Sequence, residues 1–285
     1  MILMGTGTSI GVPVVGCDCS VCTSTNEKNQ RTRSGVLVRS AAGEAVIDTS
    51  PELRLQLLRS RANLIQAAMF THSHADHIMG LDDLRIFGFR LERQLLDAAR
   101  AKFAADDCEG DFDEDGFRAA GHGKIPLFCE PNVEADIRKC FHYAFADPAT
   151  LSHRFAAPKL EFQSIIPGQE FELLGLSVLP VRLHHGKLPV LGFRINNVAF
   201  CTDVSTIPAE SRPHLEGLDV LVIDALRNSP HPTHLSVDQA VKWVHRLKPK
   251  RAILTHMAHD LDYDDLADRL PEGVEPGFDG LRISL

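Results

Sequence analysis

Thr71-His72-Ser73-His74-Ala75-Asp76-His77 places three histidines and an aspartate within six residues, directly after the apolar run 67–70. Neutral imidazole and carboxylate both suit divalent transition metals, so the stretch reads as metal-ligand chemistry. On a continuing strand His72 and His74 share a face, because side chains repeat every two residues. Asp76 and His77 are neighbours; they diverge and can serve a second ion. A chain with 14 histidines among 285 residues yields H-x-H-x-D-H by composition alone roughly three times per thousand such chains. The metal reading is therefore preferred over a chance cluster.

Three later stretches also end an apolar run in ligand-type residues. They are Val181-Arg182-Leu183-His184-His185-Gly186-Lys187, Phe200-Cys201-Thr202-Asp203 and Ile253-Leu254-Thr255-His256-Met257-Ala258-His259-Asp260. Adjacent residues on a strand point to opposite sides, so only one of His184 and His185 should face a site, and spacing does not say which. A single His or Asp after a strand is ordinarily a surface or capping residue. Four such stretches in one chain point to one shared metal centre.

Cys17, Cys19 and Cys22 crowd into six residues of a chain with seven cysteines. An odd count at that spacing suits a metal better than a disulfide framework and fits a reducing cytoplasm. Three thiolates, with His259 as a fourth donor, could form a closed tetrahedral zinc site. Cys129 and Cys201 lie in apolar strands and read as core. His231 and His234 precede the capping box Ser236-x-x-Gln239. An imidazole there could move protons, or merely cap the helix or bond Asp203.

The elements that must position these groups follow from periodicity and turn chemistry. Strands are expected at 1–4, 34–39, 44–48, 65–71, 125–129, 160–166, 170–184, 190–202, 220–224 and 252–255, with 281–285 as a further edge. Asn196-Asn197 suits a hairpin turn. Helices are expected at 51–59, with Ser50 as N-cap and Pro51 in the first turn, and at 78–89, 131–145, 208–215 and 236–248. Residues 91–123 change character, and 106–115 hold seven acids in ten residues. Asp111, Asp113, Asp115 and Gly116 mimic half an EF-hand loop, but His122 stands where its last ligand should be Glu. The segment reads as a mobile, solvated surface insertion. Strands and helices come in two successive rounds without a linker. This predicts one α/β (α+β) domain over 1–285, in which two mixed sheets pack between helices.

Composition bounds the function. A net charge of −8 argues against a broad basic surface for large nucleic acid, though not against an anionic substrate once metal ions dominate the local field. No apolar run reaches membrane-spanning length, and Met1 to Gly5 carry no basic start of a signal peptide. A cytoplasmic setting is expected.

These motifs resemble the metallo-β-lactamase-fold hydrolases. Within them the chain is similar to the branch containing the phosphonate-utilisation cyclic phosphoribosyl phosphodiesterase. The resemblance rests on His72-x-His74-x-Asp76-His77, Gly5-Thr6-Gly7-Thr8-Ser9 with Gly11-Val12-Pro13, Gly16-Cys17-x-Cys19-x-x-Cys22, Asp48-Thr49-x-Pro51, Gly80-Leu81-Asp82-Asp83-Leu84-Arg85, Thr202-Asp203 and His256-x-x-His259. Ser50 departs from it where Gly is expected, as does the acidic segment.

The resemblance implies an αββα sandwich. It implies one ion, Zn²⁺ or Mn²⁺, held by His72, His74 and His185, and a second by Asp76, His77 and His256, with Asp203 bridging. His185 is taken over His184 because the family ligand precedes Gly or Ser and then Lys. Asp76 and His234 become the catalytic residues, with His234 the proton donor. Cys17, Cys19, Cys22 and His259 become a structural zinc site. Lys187, Arg33 and Arg85 are weaker candidates for phosphate oxygens. The implied activity is hydrolysis of a small phosphodiester, cyclic or nucleotide-like, through a hydroxide shared by two ions. A homodimer fits the resemblance. The alternatives on the same scaffold are a ribonuclease Z-like tRNA 3′-processing nuclease and a thiolesterase or lactonase.

Overall fold

Along β1 (Ile2–Gly5) the side chains of Ile2 and Met4 enter one apolar cluster, and Leu3 enters another with Met1. This is the period-two alternation of a strand buried on both faces. The split recurs in β2 (Gly35–Arg39), β3 (Glu44–Ile47) and β4 (Ile65–Met69). Leu37, Val46 and Ala68 face outward, whereas Val36, Val38, Ile47 and Met69 face inward. In the computed structural model, which describes residues 1–106, 110–146, 153 and 156–285, the inward set meets Phe193, Phe200, Val222 and Ile253 of a second sheet.

The first sheet runs β1-β2-β3-β4-β5-β6, with β5 at Ile125–Cys129 and β6 at Leu160–Ser164. Its β1–β3 part is antiparallel and its β3–β6 part parallel. The second sheet mirrors that plan. It contains β7 (Phe171–Leu173), β8 (Leu176–His185), β9 (Leu188–Ile195), β10 (Val198–Cys201), β11 (Val220–Asp224), β12 (Arg251–Thr255) and β13 (Val274–Pro276) in consecutive order. Strands β7–β10 pair antiparallel, and β10–β13 pair parallel.

Helices cover both outer faces. Leu53 and Leu57 of α1 (Leu53–Arg59) pack on the first sheet. After the single turn α2 (Ala75–Ile78), so do Phe87 of α3 (Arg85–Ala105) and, past the short α4 (Glu114–Ala119), Val133 and Ile137 of α5 (Pro131–Cys140). Val237, Ala240 and Val244 of α6 (Val237–Leu247) and Leu266 of α7 (Tyr263–Arg269) cover the second. The result is an αββα sandwich of two mixed sheets between helices. No helix among the described residues is long and apolar enough to cross a membrane.

Several expected boundaries move. Residues 91–105 of the insertion are the charged helical stretch the sequence suggests and complete the 21-residue α3, but they are docked rather than mobile: Glu92, only 2 % exposed, pairs with Lys159. Burying that carboxylate against an ammonium pins α3 to the start of β6, which composition could not reveal. Residues 107–109 of the acidic run lie outside the described residues. Ser50 does not cap α1. Its buried Oγ donates to Gln56 Oε1 at 3.0 Å, and Glu52 takes the cap position without a side-chain bond. The expected strand 170–184 breaks into β7 and β8. That at 190–202 breaks into β9 and β10 at Asn196, whose φ of 51° provides the hairpin turn. Residues 281–283 lie along β1 at the edge of the first sheet, where Arg282 bridges Ile2, Leu3 N donates to the Leu281 carbonyl at 2.9 Å and Ile283 N to the Met1 carbonyl at 2.8 Å; β13 is an edge of the second sheet.

Gly80 shows how tightly α1 meets the turn after α2. A Cβ there would lie 2.0 Å from the Ser50 carbonyl oxygen and 2.9 Å from Leu53 Cβ. Gly80→Ala is therefore expected to cost about 2 kcal/mol or more, the scale of overpacking against a backbone that cannot yield. Thermal unfolding checks this, and a wild-type Tm would contradict it.

Candidate metal centre

Six strands end at one rim, and each delivers an ionisable side chain there. Asp48 follows β3, His72 follows β4, His185 ends β8, Asp203 follows β10, Asp224 ends β11 and His256 follows β12. Asp48, Asp203 and His256 all have positive φ, at 61°, 53° and 59°. Left-handed backbone is uncommon outside glycine, and at a strand end it turns the side chain sharply back over the sheet.

His72, His74, His185 and Asp203 bring one ligand atom each within 4.8 Å of one another, and Asp76, His77, Asp203 and His256 do the same. Asp203 belongs to both groups. All of these except His74 are buried. His72 Nε2 lies 3.7 Å from Asp203 Oδ2, while His77 Nε2 lies 3.3 Å from Asp203 Oδ1 and 3.2 Å from Asp76 Oδ2. His256 Nδ1 lies 3.2 Å from Asp203 Oδ1. Yet His72 Nε2, His77 Nε2, His256 Nε2 and Asp76 Oδ2 have no aligned hydrogen-bond partner. Buried polar atoms are almost always satisfied, so four orphans aimed at one small region fit a cation.

The opposite nitrogens are committed to the protein, as in second shells that fix a ligand's tautomer. His77 Nδ1 meets Asp48 Oδ2 at 2.7 Å, and Asp48 also accepts from Thr71 N and Thr71 Oγ1, each at 2.8 Å. His72 Nδ1 lies 2.9 Å from Thr71 Oγ1, and His185 Nδ1 donates to the Thr233 carbonyl at 2.7 Å. Ser34 Oγ lies 3.1 Å from His256 Nδ1.

The electrostatics also ask for positive charge. Burial depresses the His77 pKa, but Asp203, Asp76 and Asp48 outweigh it and hold the ring well above the usual imidazole value. Burial and the neighbouring His77 ring hold His72 well below that value, and burial takes His185 down to about 4. Neutral imidazoles and ionised carboxylates are the forms that bind metal. The donor set and its charge therefore fit divalent ions.

Asp48→Ala is expected to weaken metal binding by about 10- to 100-fold, the usual effect of losing a ligand's outer partner. Equilibrium competition with a chromophoric chelator measures this, and unchanged affinity would contradict it.

His234 lies beside the cluster. Its ring centroid is 4.5 Å from His185 and stacks 4.8 Å from His256. Nδ1 meets Asp224 Oδ2 at 2.7 Å, and that oxygen also accepts from Val204 N at 2.9 Å. Burial raises the Asp224 carboxyl and lowers the His234 ring. His234 does not cap α6, where Ser236 and Gln239 form the capping box.

Cys17, Cys19 and Cys22 converge on His259, with their Sγ atoms 3.3, 3.5 and 3.5 Å from Nδ1. The Cys22 backbone N–H and, against some burial, the His259 ring draw the Cys19 thiol down to about 6, while burial pushes Cys22 up to about 11. One thiol of the group is thus held ready as thiolate.

The weaker phosphate candidates are less free than expected. Arg33 pairs with Glu52 and donates to the Ser9 carbonyl, and Arg85 pairs with Asp82 at 2.7 Å. Lys187 is exposed on the β8–β9 turn, and His184, whose backbone pairs with Thr206, belongs to neither group of ligand atoms. Sequence reasoning missed Asp224, Ser34 and Thr233. Asp224 carried the same signal as Asp203, an acid ending an apolar strand; a lone serine and a backbone carbonyl carry none.

Comparison with known proteins places this geometry in context. The family description "Beta-lactamase superfamily domain" matches residues 112–257. A crystal structure of a diphosphatase from the PhnP family is similar over 99% of this chain and 96% of that one, at 34% identity and a TM-score of 0.81. The Zn²⁺-bound PqqB of Methylobacterium extorquens shares the fold at 16% identity and TM-score 0.72, covering 100% and 99% of the two chains. The short form of human tRNase Z shares it at 16% identity and TM-score 0.64, covering 99% and 97%. A curated octanoyltransferase of Porphyromonas gingivalis is 32% identical over 98% of this chain, which spans only 50% of that protein's length.

Proposed function

Because the chain belongs to the β-lactamase superfamily, in its PhnP-family branch, we propose that it hydrolyses a small phosphodiester at a centre of two divalent ions. The family makes it a metal-dependent hydrolase; the substrate class and the number of ions are the proposal. One observation carries it: Asp203 is shared by two otherwise separate groups of ligand atoms. A carboxylate in that position suits a bridge between two ions.

In this reading His72, His74 and His185 hold one ion, Asp76, His77 and His256 the other, and Asp203 both. Zn²⁺ or Mn²⁺ suits this mixture of nitrogen and oxygen donors. When bound, such ions lower the pKa of water and neutralise charge on a phosphoryl group. Asp48, Thr71, Thr233 and Ser34 keep the imidazoles aimed. With Nδ1 committed to Asp224, His234 keeps Nε2 for the proton that a departing alkoxide needs, a role worth about 10²- to 10⁴-fold. Lys187, exposed two positions after His185, is the candidate to meet a phosphate oxygen. Cys17, Cys19, Cys22 and His259 form a closed structural zinc site, which favours a reducing, cytoplasmic setting. The branch also supports a homodimer, and a single-chain mass by light scattering would remove that part.

The experiment is a substrate panel with Mn²⁺- or Zn²⁺-loaded protein: cyclic nucleotides, bis(p-nitrophenyl) phosphate, an acyl thioester and a lactone. Turnover of phosphodiesters above the others supports the reading. A second reading, thioester hydrolysis, draws on the partial match to an octanoyltransferase. The His234–Asp224 pair favours the first, because a thiolate leaves without a proton and an alkoxide does not. The net charge of −8 disfavours a large RNA.

A further inference from the structure

Arg31 heads the largest fully buried side chains of the protein. Its Nη1 donates to the Ala258 carbonyl at 3.0 Å, and its Nη2 to the Leu261 carbonyl at 2.6 Å and to Asn29 Oδ1 at 3.0 Å. Those two carbonyls flank His259. The Arg31 backbone exchanges two hydrogen bonds of 2.8 Å with Val12, which leads into the loop of Cys17, Cys19 and Cys22. Asn29 accepts from Tyr263 N at 2.9 Å and donates to Asp262 Oδ2 at 2.6 Å, fastening the start of α7 to the same point. One residue thus grips both segments that supply the Cys₃His group.

The same grip reaches the other centre. His256 is three residues before His259, and the segment between them is tied on both sides. Met257 N donates to the Thr6 carbonyl at 2.9 Å, and Ala258 N to the Leu226 carbonyl at 2.8 Å. Arg31 holds the Ala258 carbonyl, so a shift of His259 must either break that contact or move His256.

Burying a guanidinium is costly even after relaxation, and burial lowers the Arg31 pKa to about 10 although Asp262, Asp279 and Asp260 lie near. A planar fork meets two carbonyls that point from different places, which neither a lysine nor an apolar side chain can do.

We propose that Arg31 is a positioning residue that couples the Cys₃His group to the His256 side of the His/Asp cluster, so that metal in either site tightens the other. Such coupling is reciprocal by linkage. It rests on the metal reading above but on no substrate.

The test uses the full chain, stripped of metal and titrated with Co²⁺ under anaerobic conditions. Thiolate-to-cobalt charge-transfer absorption reports the Cys₃His group, and the weaker d–d bands report the His/Asp cluster. Cys19→Ser and Arg31→Met are each expected to weaken Co²⁺ binding at the His/Asp cluster by about tenfold, the scale of an outer-partner loss, with every cluster ligand intact. Arg31→Lys should recover part of that affinity, and it carries the test should Arg31→Met fail to fold. Wild-type cluster affinity in the Arg31 variants would overturn the coupling, even with a weakened thiolate band. A wild-type chain that takes up no Co²⁺ at the His/Asp cluster would overturn the metal reading and the coupling together.

Discussion

Asp203→Asn is expected to reduce phosphodiester hydrolysis by at least about 10³-fold and to leave the His/Asp cluster with no more than one ion. The scale is that of removing a preorganised charge from a water-poor site. Asp203 is 2 % exposed, and its carboxylate lies within 3.7 Å of His72, His77 and His256. Burial works against its ionisation, yet the His256 and His77 rings hold it well below the ordinary carboxylate range. Asparagine keeps the volume and the Thr202 Oγ1 contact of 3.0 Å but removes the charge shared by both ligand groups. Loss of activity with a cooperative, near-wild-type unfolding transition is therefore the expected pair of results. Metal analysis distinguishes this from misfolding, and two cluster ions retained in Asp203→Asn would contradict the bridging role.

His234→Ala is expected to lower turnover of alkyl phosphodiesters by about 10²- to 10⁴-fold while costing p-nitrophenyl esters less than about tenfold. A general acid matters in proportion to the basicity of the departing oxygen. An alkoxide needs its proton in the transition state; p-nitrophenolate leaves without one. Asp224→Asn should produce a smaller loss with the same leaving-group dependence, because the amide no longer fixes the imidazole tautomer. Both substitutions spare every proposed ligand, so metal content should stay at the wild-type level. Equal losses on alkyl and aryl substrates would assign His234 to structure rather than proton transfer.

The residues that form the centre were legible because metal chemistry restricts residue type. His72, His74, Asp76 and His77 announce themselves by density, Asp203 and His256 by ending apolar strands, and His185 is told from His184 only by the family resemblance. The alternation that splits Leu3 from Met4 and Val36 from Leu37 also made the double sheet legible. What could not be read depends on contacts distant in sequence. The pairing of Glu92 with Lys159, 67 residues apart, docks the charged helical stretch that sequence alone leaves as a mobile insertion. Gln56 draws Ser50 away from its capping role. Ser34, Thr233 and Asp224 orient imidazoles from 222, 48 and 10 residues away. Arg33 looked available for phosphate because its carboxylate partner Glu52 is fixed only by the fold, whereas Arg85 meets Asp82 three residues away on the same turn. Local pattern specifies which groups can do chemistry; long-range hydrogen bonds decide which are free to do it.

The central claim is that two ions bridged by Asp203 hydrolyse a phosphodiester. The most direct measurement titrates metal-free protein with Mn²⁺ or Zn²⁺ and follows both bound ions per chain and turnover of bis(p-nitrophenyl) phosphate. The account predicts activity that rises only as the His/Asp cluster takes its second ion, beyond the ion in the Cys₃His group. A fully loaded chain that leaves the phosphodiester intact while cleaving a thioester or lactone would contradict it.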